Sequence, residues 1–361
     1  MKRIPFAIDR SSTCALADQV TEKLRQAIVT GHYKPGDTLP TVRELAKSLG
    51  VSIRAPLVAL KRLQDEGLVM PRSRTGSVVL QTGANVWRGN VLMIIPGLIP
   101  GYYFSIIEAV LGKRLLDAGY LPSSLSIPGS SHSGFELSQL RVMVRQKISL
   151  AVLLGGSREI EALLDESGVP FVVFGPRSRF PNCVGRVASD SGSALKDLVE
   201  LCREKGVRSI VQASKTDEDL FSAKDLRKAG IRVENWVEKA QASDCPRAEP
   251  VMRKGMEMFL RRYGEEGAKL PDAFLLCDDY FSAGALTALL SLGVRVPENV
   301  KVVASANVGM GPCFPKQLTR IEKDPMAIAD VIADGVLEYF ATGRFPRRLS
   351  VRSVFRRGLT F

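Results

Sequence analysis

The stretch 271-PDAFLLCDDYFSAGALTALLSLGVRVPENVKVVASANV-308 decides the fold class. AFLLCDD, from Ala273, is an apolar run of strand length. Ser282–Leu292 follows as an amphipathic helix, and VKVVASAN, from Val300, is apolar again. Continuous apolar strands separated by helices predict parallel sheet covered on both faces. The same rhythm runs outward from here. Strands are predicted at VLMIIP (Val91), AVLLGG (Ala151), FVVFG (Phe171), RVAS (Arg186) and SIVQAS (Ser209). Helices are predicted at Phe104–Ala118, Glu136–Gln146, Arg158–Ser167, Gly192–Lys205 and Met252–Tyr263. Ligands in such sheets bind beyond the carboxyl ends of the strands.

Enzyme readings of this α/β region fail on its motifs. It has no G-x-x-x-x-G-K-[ST] phosphate loop, no G-x-G-x-x-G and no G-x-S-x-G elbow. The chain has two His, of which His132 sits in a Ser/Gly loop without an evident acidic partner. Six scattered Cys, with no C-x-x-C pair, exclude a disulfide framework or thiolate zinc site. Asp278 and Asp279, directly after a strand, suit a helix N-cap or a polar ligand better than a metal. No cofactor and no metal are expected.

Upstream the pattern changes. Leu16, Val20, Leu24 and Ile28 recur every four residues, a helix that stops at Gly31. Thr41 with Glu44 is a capping box opening a second helix, whose inner stripe is Val42, Leu45, Ala46 and Leu49. Gly50 closes it, and Ser52 is expected to cap a third helix that runs to about Glu66. GLVMPRSRTGSVVL then reads as a hairpin around Ser73–Gly76. Helix, helix, tight turn, helix and basic hairpin make the winged helix-turn-helix plan. Its third helix is sized for the major groove, and Arg72 and Arg74 lie on the wing. The plainer alternative is a small helical domain with solvated basic residues. Residues 1–80 are read as this domain, 81–89 as a connector and 90–361 as the α/β part.

Charge is divided in the same way. The net charge of the 361 residues is +12, and residues 1–82 hold 13 basic against 7 acidic groups. Residues 83–343 are balanced, and residues 344–361 carry six Arg and no acid. A neutral middle between two basic ends points to an anionic partner at particular places. The start, MKRIPFAIDRSS, lacks the apolar core of a secretory signal. The best apolar run, VLMIIPGLIPG, is broken by two Pro and two Gly. A cytoplasmic protein with no membrane partner is expected.

PGDTLPTVRELAKSLGVS, ALKRLQDEGLV and RTGSVV resemble the DNA-binding domain of the gluconate-repressor (GntR) family over about residues 15–80. The resemblance places Arg43 where that family has a DNA-contacting Arg, and Ser52 at the mouth of the recognition helix. The next residues depart from the family's V-S-R-x-T-V-R. Here VSIRAPLVAL puts Ile53 and Leu57 at its two Arg positions, Arg54 one place later, and Pro56 in the first turn. Pro56 cannot donate to the Ser52 carbonyl. Either the helix no longer reads guanine through Arg, or apolar side chains read thymine methyls while Arg54 takes phosphate or base. Altered specificity is the favoured reading, because Arg43, Lys61, Arg62, Arg72 and Arg74 remain. Lys61 and Arg62 also fit a solvated helix face.

Residues 90–361 resemble the effector-binding part of the lactose/galactose-repressor (LacI) family, itself similar to periplasmic sugar-binding proteins. The opening stretch, VLMIIPGLIPGYYFSIIEAVLGKRLLDAGY, and the segment quoted first carry the likeness, with LTRIEKDPMAIADVIADGVLEYF following. It implies a two-lobed domain with parallel sheets and an effector cleft lined by Tyr102, Tyr103, Phe104, Asp279, Tyr280 and Asn307. Aromatic faces suit a sugar ring, and Asp279 would accept hydroxyl hydrogens. The family's ligand-holding Arg is missing from SKTDEDLFSAKDLRKAGI, where Lys215 and Lys224 are the nearby candidates. Together the resemblances imply a bacterial regulator, by default a repressor. It would bind double-stranded operator DNA as a homodimer under control of a small molecule, a carbohydrate first. The rival is a ligand-independent DNA-binding protein whose sensor-like part serves only dimerisation.

Overall fold

Thr41 opens its helix as its spacing from Glu44 predicts. Its hydroxyl accepts a hydrogen bond from the Glu44 amide at 3.3 Å, and the Glu44 carboxylate accepts one from the Thr41 amide at 2.7 Å. The structure is a computed structural model describing residues 4–12, 14–72, 76–80, 88–96, 101–127, 134–145, 148–155, 157–238, 248–265, 268–346 and 349–361. In it, α1 (Leu16–Val29), α2 (Val42–Leu49) and α3 (Arg54–Asp65) precede a hairpin of β1 (Val69–Arg72) and β2 (Gly76–Val79). Gly50 ends α2 with φ +63°, in the left-handed region that favours glycine. The two strands pair antiparallel with Arg72 opposite Gly76.

Val20, Leu24, Leu45, Leu49, Ala59 and Leu63 meet in one core under these elements. Leu16, the first member of the α1 repeat, stays 39% exposed, so the inward stripe begins at Val20. Thr41→Ala should remove about 1 kcal/mol of cap energy from α2. Native-state hydrogen exchange at the Glu44 amide should then run about fivefold faster.

The first turn of α3 corrects one expectation. Ser52 does not cap it: Ile53 holds the N-cap position and no side chain caps the helix. The Ser52 carbonyl instead accepts from the Ala55 amide at 3.1 Å, and the Leu57 amide reaches the Ile53 carbonyl at 3.2 Å. Pro56 has no N–H to offer, so a tighter i to i+3 bond satisfies that carbonyl and the helix starts later but whole. Pro56 itself is buried beside Ala55.

Close packing divides the chain into two units, Met1–Gly89 with Asp117–Leu121, and Asn90–Leu116 with Pro122–Phe361. The second holds two lobes. The first lobe contains β3 (Gly89–Pro96), α4 (Tyr102–Asp117), β4 (Tyr120–Ile127), α5 (Gly134–Val144), β5 (Leu150–Leu154), α6 (Arg158–Glu166), β6 (Phe171–Phe174) and β7 (Cys183–Asp190). The second contains α7 (Gly192–Glu204), β8 (Ser209–Ser214), α8 (Lys224–Lys228), β9 (Arg232–Val237), α9 (Ala248–Tyr263), β10 (Ala273–Leu276), α10 (Asp279–Ser291), β11 (Lys301–Asn307) and β12 (Thr319–Lys323). Then α11 (Pro325–Thr342) returns to the first sheet as β13 (Leu349–Arg352), and β14 (Val354–Arg356) joins the second.

The sheets run β13-β7-β6-β5-β3-β4 and β14-β12-β11-β10-β8-β9. Pairing is parallel from β13 through β3 and from β12 through β9, with β14 antiparallel at its edge. The fold is thus the two-lobed α/β architecture with parallel sheets that the sequence implies. Every residue of β5, β6 and β10 is buried, which is why these strands read as unbroken apolar runs.

Two of the three crossings between lobes are stitched together. The Ser353 amide donates to the Asp190 carbonyl at 2.8 Å, and the Ser191 and Ser353 hydroxyls lie 2.9 Å apart. The C-terminal Arg cluster is partly accounted for nearby. Arg356 meets Glu322 at 3.1 Å, and Arg357 grips Glu204 through two bonds of 2.8 and 2.9 Å. Among the described residues no helix is long and apolar enough to cross a membrane.

Candidate functional site

The outer face of α3 begins with the residues its core leaves over. Ala55, Pro56, Ala59, Leu60 and Leu63 turn inward, which leaves Ile53 55% and Leu57 56% exposed. Ser52, Arg54 and Lys61 are exposed on the same helix, and Arg43 is exposed on the first turn of α2. Arg43, Arg54 and Lys61 form no ion pair among the described residues. Arg62, in contrast, pairs with Asp18 of α1, and Arg25 reaches Glu66 at 2.6 Å. The paired cations tie α1 to α3, while Arg54 on the first turn of α3, Lys61 further along it and Arg43 on the first turn of α2 stay exposed. Arg72 closes β1 where the hairpin turns, while Arg74 lies outside the described residues. Arg10, which sequence reasoning missed, donates to the Gly50 carbonyl at 2.6 Å beside the α2–α3 turn. A lone Arg in MKRIPFAIDRSS carries no signal for that.

In the second lobe, parallel pairing brings the carboxyl ends of β8, β10, β11 and β12 to one edge. Lys215, Asp278, Asp279, Asn307 and Lys323 follow or end those strands. Asp278 caps α10 by accepting from the Phe281 amide at 2.8 Å, and its second oxygen meets Lys215 Nζ at 2.9 Å. Asp279 accepts from Asn307 Nδ2 at 2.8 Å. Burial, reinforced by the charge of Asp278, pushes the Asp279 carboxyl above its ordinary range. Burial likewise pushes Asp219 up, against the opposing pull of Lys215. Gln212, fully buried on β8, holds the loop that carries these two. It donates to the Phe221 carbonyl at 3.1 Å and accepts from the Phe221 amide at 3.0 Å.

The first lobe meets this edge through α4. The Tyr102 amide donates to the Tyr280 hydroxyl oxygen at 3.4 Å, and the Tyr102 hydroxyl donates to the Val308 carbonyl at 3.3 Å. Gly309 accommodates the approach: its φ is +81°, and a Cβ there would lie 2.8 Å from the Tyr102 hydroxyl. Tyr103 packs edge-on to Phe104 at 5.2 Å and lies 6.4 Å from Phe174, and burial raises its hydroxyl pKa. The structure therefore joins Tyr102, Tyr280, Asp279 and Asn307 through a chain of contacts, while Tyr103 and Phe104, next on α4, pack edge to face against each other. Of the two lysines considered for the missing Arg, Lys215 enters the site and Lys224 stands exposed at the start of α8. Asp219 and Lys323 were missed, although the rule about carboxyl ends applies to both of their strands. His132 lies outside the described residues. Among the described residues no cluster of His, Cys, Asp and Glu is arranged for a metal ion.

Comparison with known proteins finds a match for each of two stretches of the chain. Residues 16–79 match the family of bacterial regulatory proteins, gntR family, and residues 199–357 match the periplasmic binding protein-like domain. Catabolite control protein A of Staphylococcus aureus (strain MRSA252) is 23% identical over 238 residues, 63% of this chain and 68% of that one. A LacI family transcriptional regulator from Arthrobacter sp. FB24, solved with lactose, shares the fold at TM-score 0.59 and 18% identity, over 76% of this chain and 99% of its own. The lac repressor dimer bound to operator and the anti-inducer ONPF superposes at TM-score 0.57 and 16% identity, over 75% and 93% of the two chains.

Proposed function

We propose that this chain, a transcriptional regulator joining a GntR-type DNA-binding domain to a periplasmic-binding-protein-like domain, binds operator DNA as a homodimer under control of a polyhydroxylated small molecule. One observation carries the reading: Asp279, Asn307 and Tyr280 on one lobe are joined to Tyr102 on the other by hydrogen bonds a few ångströms long. Carboxylate and amide oxygens accept hydroxyl hydrogens, and aromatic faces cover the C–H side of a sugar ring. The lactose-bound and operator-bound relatives supply precedent for a sugar effector and for a dimer. An effector changes operator occupancy only by binding two states unequally. A tenfold preference shifts the balance by about 1.4 kcal/mol.

The second reading, a DNA-binding protein that takes no ligand, is favoured by two contacts. Lys215 already neutralises Asp278, and Asn307 already occupies an oxygen of Asp279. Thermal-shift screening of the full chain against a sugar panel separates the two. A ligand at 100 times its Kd adds about 2.7 kcal/mol of stability, and a panel with no shift would leave the second reading standing. On the DNA side, Arg43→Ala should weaken binding to all sequences alike. It should also lower the slope of log K against log salt by about one, because one phosphate contact is lost. An unchanged slope in a salt titration would remove Arg43 from the interface.

A further inference from the structure

The tip of α3 carries a chemistry that a phosphate-binding face does not need. Ile53 and Leu57 are each more than half exposed, while every inward position of the helix is already filled. Neither side chain can donate or accept a hydrogen bond, so neither can read guanine as an Arg would. Arg54 is next to Ile53 in the first turn, Lys61 follows Leu57 by one turn, and Arg43 is on the first turn of α2; all three are exposed and without ion pairs among the described residues. A partner for this face must therefore offer both anionic groups and an apolar contact. DNA meets both demands with two groups: the backbone phosphates are anionic, and the thymine 5-methyl is the apolar feature on a major-groove base edge.

Resting on the operator-binding reading above, we propose that Ile53 and Leu57 are specificity residues that read thymine methyl groups. The intact first turn matters here. The Ala55-to-Ser52 bond spares the helix a break at Pro56, and buried Pro56 anchors the tip between the two exposed side chains. In a helix-turn-helix protein it is the N-terminal part of the second helix that reaches base edges. Residues four apart advance about 6 Å along a helix. That is under two base-pair steps of about 3.4 Å. Ile53 and Leu57 thus reach thymines on neighbouring or next-neighbouring pairs, and Arg54 between them is free for phosphate or a flanking base.

The test uses the whole 361-residue chain and a random duplex DNA pool. Bound duplexes are selected and sequenced, and the best is remade with deoxyuridine in place of thymine, one position at a time. Deoxyuridine lacks only the methyl group. The expected result is selected sites anchored on thymines, with affinity falling about fourfold for each contacted methyl removed. Ile53→Ala and Leu57→Ala should each bind the thymine and deoxyuridine duplexes equally at the position that residue reads. Both positions are solvent-facing, so circular dichroism should match the parent. Selected sites anchored on guanine, or indifferent to every deoxyuridine, overturn the inference and leave the regulator reading intact. A pool with no enriched sequence overturns both. If Leu57→Glu splits a dimer in sedimentation, the patch belongs to a second copy of the chain and the inference fails.

Discussion

Asp279→Ala is expected to weaken effector binding about a hundredfold, the loss of one or two hydrogen bonds to a charged acceptor at about 1.5–3 kcal/mol each. Calorimetry with the compound that shifts the thermal midpoint measures it. Operator affinity without effector should stay where it was. The carboxylate is half-buried and its two oxygens are differently employed. Oδ2 takes the Asn307 side chain at 2.8 Å and Oδ1 takes the Tyr280 amide at 3.2 Å, so each keeps a lone pair for a ligand hydroxyl. Its neighbour behaves differently. Asp278→Ala removes the α10 cap and the ion pair with Lys215, so it should cost about 1 kcal/mol or more of stability before any ligand is added. Two adjacent carboxylates thus fail in separable ways, one in binding and one in folding. Equal loss of effector affinity with no change in stability from both would remove this assignment.

Acidity should act on the same group. The Asp279 pKa is raised in the folded chain, so its protonated form favours the fold. That contribution is present below the unfolded pKa and is lost as pH rises through the folded one. A ligand that needs the ionised carboxylate reverses the trend, and its affinity should fall as pH drops through the raised pKa. A flat affinity from neutral pH down to the onset of unfolding would say that Asp279 does not accept from the ligand.

The parts of this molecule legible in the sequence were those whose physics is local or fully buried. The Thr41–Glu44 capping box closes within four residues, and the central strands have no solvent-facing side to interrupt their apolar runs. β4 and β9 were not anticipated. Each lies at a sheet edge, and YLPSSLSI and RVENWV mix buried with exposed positions, which erases the continuous apolar signal. Ser52 was misread as a cap because the deciding residue, Pro56, lies four positions on and changes which amide can reach the Ser52 carbonyl. The Lys215–Asp278 pair depends on β8 and β10 being neighbours in the sheet. Local pattern cannot state that adjacency. Asp279, Asn307, Tyr102 and Tyr280 were found only because the chain resembles a family; their spacing in the sequence carries no sign that they meet.

Gly284→Ala should be among the most damaging single-methyl changes in the second lobe. α9 and α10 touch backbone to backbone: a Cβ on Gly284 would lie 1.7 Å from the Met252 carbonyl oxygen and 2.8 Å from the Met256 nitrogen. Gly255 answers from the other helix, where a Cβ would lie 2.3 Å from the Phe281 carbonyl oxygen. No side chain at this contact can swing aside, so the helices must part by more than an ångström. The core they share with the sheet contains Phe259, Phe274, Phe281, Leu286 and Trp236, all buried, with Tyr263 packed against it. Parting opens gaps in that cluster and also moves the N-terminus of α10, which carries Asp279 and Tyr280. Overpacking commonly costs about 1–3 kcal/mol, and a clash with backbone belongs at or above the upper figure. A fall of about 6–12 °C in the thermal midpoint follows for a unit of this size, together with loss of effector binding. Gly112→Ala is the control. It adds the same methyl inside α4, where the nearest atoms, on Met93 and Pro122, stand 3.9 Å away. There the better helix propensity of alanine should leave stability unchanged or raise it by up to about 1 kcal/mol. If both variants melted alike in a thermal scan, the close approach of α9 and α10 would not be what holds this lobe together.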